Sequence, residues 1–287
     1  DKNTVTTRKG EKVAYDYMVV ATGMEYHYEQ IKGLTKEDIG TNGITSVYLS
    51  DLEKGTAKGG SDTWNWFQEL KESAKQKNPK VIFTHPNTAV KCGGAPQKML
   101  LLAADYLKKD GLRADFKFVA SLDKLFSLPK IDEALHKAQD RYGFIENKLQ
   151  HHLESIDVKA KKAVFIHAWE EEEYDPDFDT REMVSKSERV ELEYDFIHVV
   201  PPMSPVKALM ESKLISNDGW LEVDKHSLQH KRYKNVFGIG DTCGIPMGKT
   251  GGSARHHGPI LTENMIKVMQ GKEPTAVFDG YTVCPIK

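Results

Sequence analysis

Two cysteines stand in unusual settings. Cys92 lies in Val90-Lys91-Cys92-Gly93-Gly94-Ala95-Pro96-Gln97-Lys98. Cys243 ends Val236-Phe237-Gly238-Ile239-Gly240-Asp241-Thr242-Cys243, ahead of Gly248-Lys249-Thr250-Gly251-Gly252. Each sits where an apolar, strand-like run gives way to a Gly-rich turn and then to an apolar helical pattern. The positive end of a helix dipole lowers the pKa of a nearby thiol, and the thiolate is the reactive form. Two thiols so placed, if they meet in space, form a redox pair, which points to electron transfer involving sulfur. The bland alternative is that both are buried, inert hydrophobes. Cys284, close to the last residue, reads as structural.

The elements that must position these residues alternate. Asp16 to Gly23 is an apolar run ending in Gly, the pattern of a buried parallel strand. Thr63 to Gln76 has the helical period, with Trp64, Phe67 and Leu70 on one face. Lys80 to Thr84 is a strand, Pro96 to Lys109 a helix with Gly111 as its stop, Asp115 to Ala120 a strand, and Ile131 to Tyr142 a helix. This alternation predicts a parallel sheet with helical crossovers. Val158 to Ala168 reads as a hairpin, and Arg189 to Tyr194 as a strand. The acidic stretch Glu170 to Asp179 has no period and reads as a solvated loop over a cation site. Asp195 to Pro202 repeats the plan of Asp16 to Gly23, as if two related α/β units had equivalent exit strands. Asn235 to Gly240 is the last strong strand and Ser253 to Met269 the last long helix.

Composition narrows the classes. The chain has 287 residues, room for about two domains at ~150 residues each. It is 39% hydrophobic and 29% charged, with a net charge of −2, so nothing argues for nucleic acid. Three cysteines are too few for a secreted disulfide framework, so a disulfide here is more readily catalytic than structural. No apolar run is long enough to cross a membrane and no signal peptide opens the chain. The abrupt polar start and the stop soon after Cys284-Pro285 read as a piece of a longer protein. His151-His152 and His256-His257 lack metal-ligand spacing, and no Gly-x-Ser-x-Gly supports a hydrolase.

Asp-Tyr-x-x-Val-Ala-Thr-Gly (Asp16 to Gly23) and Val-Phe-Gly-Ile-Gly-Asp (Val236 to Asp241) resemble the two-dinucleotide-binding-domain flavoproteins of the glutathione reductase type. Within that group the chain is similar to the sulfide:quinone oxidoreductases. The matching stretches are His85 to Lys98, Pro201 to Pro205, Gly219 to His230, Asn235 to Asp241, Lys249-Thr250 and Phe278 to Pro285. Departures exist. The Gly-x-Gly-x-x-Gly element that opens family members is absent. So are the amphipathic helices that follow Cys-Pro and hold the membrane. Thr242 stands where a redox cysteine directly follows the Asp in members of this motif type, and Cys243 comes one residue later.

The resemblance implies two Rossmann-like α/β domains, the first incomplete. Residues 1–57 and 195–287 would form a partial FAD domain, and 58–194 a second, NAD-like domain carrying Cys92. It implies oxidation of sulfide to polysulfide sulfur by a Cys92–Cys243 pair and FAD, with electrons passing to a membrane quinone. Thr22, Gly23, Gly240, Asp241, Lys249 and Thr250 would hold the cofactor, Asp241 through ribityl hydroxyls. Lys249 would also act in catalysis, stabilising the reduced flavin's charge. Asp241 as a plain helix cap and Lys249 as a solvated surface residue are the structural alternatives. Pro201-Pro202-Met203 would wall a quinone or flavin cavity or simply end a strand, and His198 would be a core histidine. No metal is assigned. The implied location is peripheral, on a prokaryotic cytoplasmic membrane or the mitochondrial inner membrane, reached through segments beyond this chain. A homo-oligomer stays open. The runner-up activities are a flavocytochrome-type sulfide dehydrogenase and an NADH:quinone oxidoreductase, although residues 80–98 carry no dinucleotide fingerprint. A cofactor-less binding or scaffold module is the reading from another class.

Overall fold

The computed structural model describes residues 3–50, 58–175 and 179–285. In chain order the strands are β1 (Thr4–Thr6), β2 (Lys12–Ala14), β3 (Met18–Val20), β4 (Met24–Tyr26), β5 (Ile44–Thr45), β6 (Lys80–His85), β7 (Asp115–Ala120) and β8 (Ile145–Lys148). They continue with β9 (His151–Asp157), β10 (Lys162–Asp175), β11 (Thr180–Glu193), β12 (Phe196–His198), β13 (Met203–Pro205) and β14 (Val236–Gly238). The helices are α1 (Lys58–Ala74), α2 (Ala95–Lys108), α3 (Pro129–Asp140), α4 (Lys207–Met210) and α5 (Gly251–Met269). They divide between two compact units. One comprises Asp1–Glu25, Lys91–Gly93 and Met203–Pro285; the other comprises Tyr26–Val90 and Gly94–Pro202.

The larger unit is built on a parallel sheet in the order β5-β12-β6-β7-β8. Its strands alternate between two covered faces, as a sheet buried on both sides requires. Val81, Phe83, Phe116, Phe118 and Phe196 pack with Trp66, Leu70, Leu100 and Leu135 from α1, α2 and α3. Ile82, Val119 and Ile197 point the other way, toward Tyr28, Ile31, Leu153 and Phe165. The last two come from β9 and β10 of an antiparallel sheet ordered β11-β10-β9. The helices begin and end where the sequence provides for it. Pro96 stands in the first turn of α2, where a missing N–H costs nothing. Gly111 turns the chain at φ 70°, a left-handed conformation that Gly adopts freely.

The smaller unit pairs β3 with β14 in parallel, Met18 opposite Val236 and Val20 opposite Gly238. Val20, Leu221, Val223, Phe237, Leu261 and Phe278 form its core.

Several expectations need correction. The domain boundaries shift because β5 and β12 pair in the second sheet. Residues 26–50 and 195–202 therefore lie in the larger unit rather than with residues 1–25. Cys92 moves the opposite way: Lys91–Gly93 belong to the smaller unit, not to the one expected to carry it. On α1, Trp66 is the buried aromatic and Trp64 is 55% exposed. Glu170 to Asp175 is strand rather than loop, paired residue by residue with β11; residues 176–178 lie outside the described residues. The cations are supplied across the ribbon. Lys186 lies 3.0 Å from Glu171, and Arg181 3.0 Å from Glu172, so opposite charges on facing strands replace the expected solvated loop.

Phe83 is fully buried among Trp66, Phe116 and His198. Phe83→Ala is expected to lower the stability of the larger unit by about 3–5 kcal/mol, read as a drop in the urea midpoint. An unchanged midpoint would contradict this packing.

Candidate redox site of the smaller unit

The carboxyl ends of β3 and β14 lie side by side, where open α/β sheets usually take their ligands. Beyond β3 come Thr22, which is exposed, and Gly23 at φ 70° with open space where a side chain would start. Beyond β14 comes Gly240 at φ 77°, then Asp241. The two ends are tied by Thr22 Oγ1 and Thr242 Oγ1, 3.1 Å apart. The turn at Gly240 is held from behind. Its N–H donates to His257 Nδ1 at 3.1 Å, and His257 is completely buried on α5. Burial holds the His257 pKa down near 4, with neighbouring His256 adding to the effect. Its Nε2 is buried without a hydrogen-bond partner among the described residues. The Asp241 carboxylate is half-buried and likewise accepts no hydrogen bond among the described residues, which suits it to hydroxyl donors from a ligand.

Lys249 enters this turn from the other side. Its Nζ donates to the Asp241 carbonyl at 2.7 Å and the Cys243 carbonyl at 3.1 Å. It also sits 3.5 Å from the centre of the Trp220 ring, a cation–π contact. Burial lowers its pKa to about 8, against the opposing pull of Cys243, Asp241 and Asp218. Lys249 is therefore neither a solvated surface residue nor aimed at open space; it braces the turn that carries Asp241. Thr250 caps α5, accepting from the Ser253 N–H at 3.1 Å.

The cysteines are arranged differently from expectation. Cys243 is completely buried behind β14, and burial raises its thiol pKa to about 12, with Lys249 pulling it only partly back. A Cβ added to Gly238 would lie 3.0 Å from its sulfur, so the thiol fills a niche that the glycine leaves. It is free, protonated and without access to a substrate. Cys92 is instead disulfide-bonded to Cys284, with Cα atoms 6.4 Å apart, inside the range that a disulfide spans. The Cys92–Cys243 pairing is thus replaced by Cys92–Cys284, and the residue read as structural is the partner. Two backbone hydrogen bonds seat Cys92. Its own N–H donates to the Lys249 carbonyl at 2.7 Å, and the Lys91 N–H donates to Met203 Sδ at 3.2 Å. Met203, of the Pro-Pro-Met motif, is buried and supports the cysteine loop. Cys92 has φ 58°, a left-handed conformation that an L residue keeps only when its surroundings impose it. Both sulfur-bearing residues are half-exposed.

Sequence reasoning missed Cys284 and His257. Cys284 was legible only through the spacing Tyr281-Thr282-Val283-Cys284-Pro285, already part of the family resemblance. His257 was visible only as half of the His256-His257 pair, whose spacing excludes a metal site and gives no hint of a bond to a backbone N–H. His198 is a core residue, fully buried, accepting from the Val47 N–H at 3.3 Å. Among the described residues there is no group of His, Cys, Asp and Glu arranged to hold a metal, and no helix long and apolar enough to cross a membrane.

The chain is similar along its whole length to curated proteins. It is 38% identical over 289 residues to the mitochondrial sulfide:quinone oxidoreductase of Dictyostelium discoideum, covering 100% of this chain and 57% of that protein. No family model matches it. Among solved structures, the sulfide:quinone oxidoreductase of Aquifex aeolicus superposes with a TM-score of 0.62 at 20% identity, over 94% of this chain and 58% of that one. A chain of the Tetrahymena thermophila mitochondrial ATP synthase superposes with a TM-score of 0.71, also at 20% identity, over 99% of this chain and 64% of that one. At such identities the superpositions speak for the fold, two Rossmann-like α/β units.

Two predictions follow from this geometry. Cys243 should resist alkylation at pH 8 in the native protein and react once the chain is unfolded; free-thiol reactivity in the native state would contradict its burial. His257 has a folded pKa depressed below the ordinary value of 6.5 to about 4. Its contribution is therefore fully present above pH ~6.5 and lost as pH falls toward 4, when protonated Nδ1 can no longer accept from Gly240. The Tm of the smaller unit should fall across that window, and less steeply in His257→Gln; equal slopes would rule His257 out as the cause. The chain spans 57% of the length of the mitochondrial sulfide:quinone oxidoreductases of Dictyostelium discoideum, Mus musculus and Schizosaccharomyces pombe, and it is similar to them at 29–38% identity over 99–100% of its own length.

Proposed function

We propose that this chain carries the sulfide-oxidising dithiol site of a flavoprotein that passes electrons to a membrane quinone. The observation that carries the reading is the half-exposed Cys92–Cys284 disulfide, whose Cys92 N–H is bonded to the carbonyl of Lys249, the residue whose ammonium braces the Asp241 turn. The fold alone does not carry it, since the same fold serves in a chain of an ATP synthase assembly. Similarity to sulfide:quinone oxidoreductases over the whole chain supplies the substrate class.

A disulfide is an electrophile toward hydrosulfide. HS⁻ attacks one sulfur and the Cys92–Cys284 bond breaks. A new S–S bond leaves a persulfide on the attacked cysteine and a thiolate on the other. The electron pair of the broken bond stays on that thiolate. Transfer of the sulfane sulfur to an acceptor releases the product. FAD, when bound, supplies the two-electron acceptor that allows the disulfide to re-form.

The residues present fit such a cofactor. Asp241 offers a half-buried, unengaged carboxylate for ribityl hydroxyls, and Thr22 and Gly23 leave open room beside it. Gly240 lets the backbone turn at the same place. Thr250 caps α5, and Lys249 keeps the Asp241 turn rigid while its carbonyl fixes the backbone of Cys92. Cys243, protonated and enclosed, takes no part. The mitochondrial names of the relatives support a mitochondrial location, and the quinone makes the neighbouring membrane the working surface.

The test is anaerobic sulfide titration of the flavin-loaded protein, followed by flavin absorbance. Cys92→Ser and Cys284→Ser should each slow sulfide-dependent bleaching by about 100-fold or more while flavin stays bound, and Cys243→Ser should bleach at the wild-type rate. Bleaching at full rate in Cys92→Ser or Cys284→Ser defeats the disulfide mechanism. Bleaching by NADH but not by sulfide moves the function to an NADH:quinone oxidoreductase.

A further inference from the structure

Cys284 ends a strap, residues 272–285, that has no regular secondary structure. The strap is pinned early. Ala276 exchanges two hydrogen bonds with Asn264 of α5, both 2.8 Å. Phe278 is buried and its N–H donates to the His226 carbonyl at 2.8 Å. From Asp279 to Val283 the side chains are exposed, with Tyr281 46% and Val283 41% accessible. Little hydrophobic burial therefore holds the last stretch before Cys284.

What it lies on is glycine. A Cβ built on Gly248 would come 2.7 Å from Thr282 Oγ1, and one built on Gly252 would overlap Val283 Cγ1. Real Cβ atoms do not approach so closely, so the strap sits where side chains are missing. Thr282 Oγ1 is also 3.3 Å from Thr250 Oγ1, the residue that caps α5. Gly251, between them, faces open space: nothing lies within 4 Å of its virtual Cβ. Gly251 and Gly252 both stand in the first turn of a 19-residue helix, where Ala would be preferred on propensity alone. Neither has a left-handed φ, so neither backbone needs glycine. Helix propensity and backbone conformation require neither glycine; of the two, only at Gly252 would a Cβ meet the strap, at Val283 Cγ1.

We propose that Gly248 and Gly252 form a side-chain-free shelf that seats Thr282 and Val283 and thereby positions Cys284 against Cys92. The proposal rests on the reading of Cys92–Cys284 as the redox disulfide. Gly248 and Gly252 are positioning residues. They act through the strap, setting the height at which it crosses the start of α5. A methyl group on the shelf lifts the strap and moves Cys284 away from the place where Cys92, fixed by its bond to the Lys249 carbonyl and by its loop's bond to Met203, waits for it.

The readout is the thiol–disulfide equilibrium of the folded full chain with glutathione. Two glutathione thiols are oxidised to glutathione disulfide as Cys92–Cys284 is reduced to two thiols. Differential alkylation and peptide mapping at a series of glutathione ratios give the equilibrium constant. Gly252→Ala is expected to shift it toward the dithiol by about tenfold or more, the scale of overpacking by one methyl group. The Tm of the reduced protein should stay level or rise, because the helix gains propensity. Gly251→Ala should leave the constant where it is. Val283→Ala added to Gly252→Ala removes the clashing methyl and should return the constant most of the way to the wild-type value, a coupling that a general loosening of the helix would not produce. An unchanged constant in Gly252→Ala, or equal shifts in Gly251→Ala and Gly252→Ala, overturns the shelf while leaving the disulfide mechanism standing. If the wild-type chain yields no Cys92–Cys284 peptide under oxidising conditions, the mechanism and the shelf fall together.

Discussion

One covalent bond organises the smaller unit. Cys92 and Cys284 are 192 residues apart in sequence, and their union brings two distant stretches of chain to one place. Closing a loop of that length removes much of the unfolded chain's freedom, worth about 5 kcal/mol on the chain-entropy account. The bond also sets a geometric demand. Each cysteine must be held at disulfide distance by its own surroundings, because neither lies in a regular element. Cys92 is held by backbone hydrogen bonds, including one to the Lys249 carbonyl, and keeps a left-handed φ that isolated chains avoid. Cys284 is held by the strap and the surface beneath it. The Lys249-Thr250-Gly251-Gly252 stretch thus serves both partners.

The same stretch connects the disulfide to the Asp241 turn, where the proposed function seats its cofactor. The Lys249 ammonium closes the Gly240–Cys243 turn, and its carbonyl anchors Cys92. His257 supports Gly240 from the buried side. These contacts are short and at least partly buried, and polar groups in such surroundings are costly to leave unpaired. Their arrangement keeps Asp241 rigid while leaving its carboxylate unspent. The larger unit contributes a sheet covered on both faces, the architecture that parallel strands require.

Much of the architecture was legible because it depends on local pattern. The strands Lys80–His85 and Asp115–Ala120 are uninterrupted runs bounded by turn residues, and α2 is an apolar helical run closed by Gly111. Less was legible where two patterns were degenerate. Trp64 and Trp66 both suit a helix face, and only packing against Phe83 and Phe196 selects Trp66. Glu170 to Asp175 lacks apolar alternation, so a strand stabilised by charges on its neighbour leaves no period to find. The domain boundaries depend on which strands pair, which is long-range information.

The sequence by itself determined the reactive chemistry and the family likeness. It supplied three thiols, glycines where the chain must turn or be closely approached, and an acid beside the Gly-x-Gly turn. Those are properties of residue type and short spacing. Only the tertiary structure decided which thiols meet. Cys243 has the more suggestive neighbours, yet burial behind β14 raises its pKa and shuts it away, whereas Cys284, with unremarkable neighbours, is delivered to Cys92 by a strap crossing α5. A cysteine's pKa and partner depend on desolvation and distance. Both are set by contacts between residues far apart in the chain, which no local window of sequence contains.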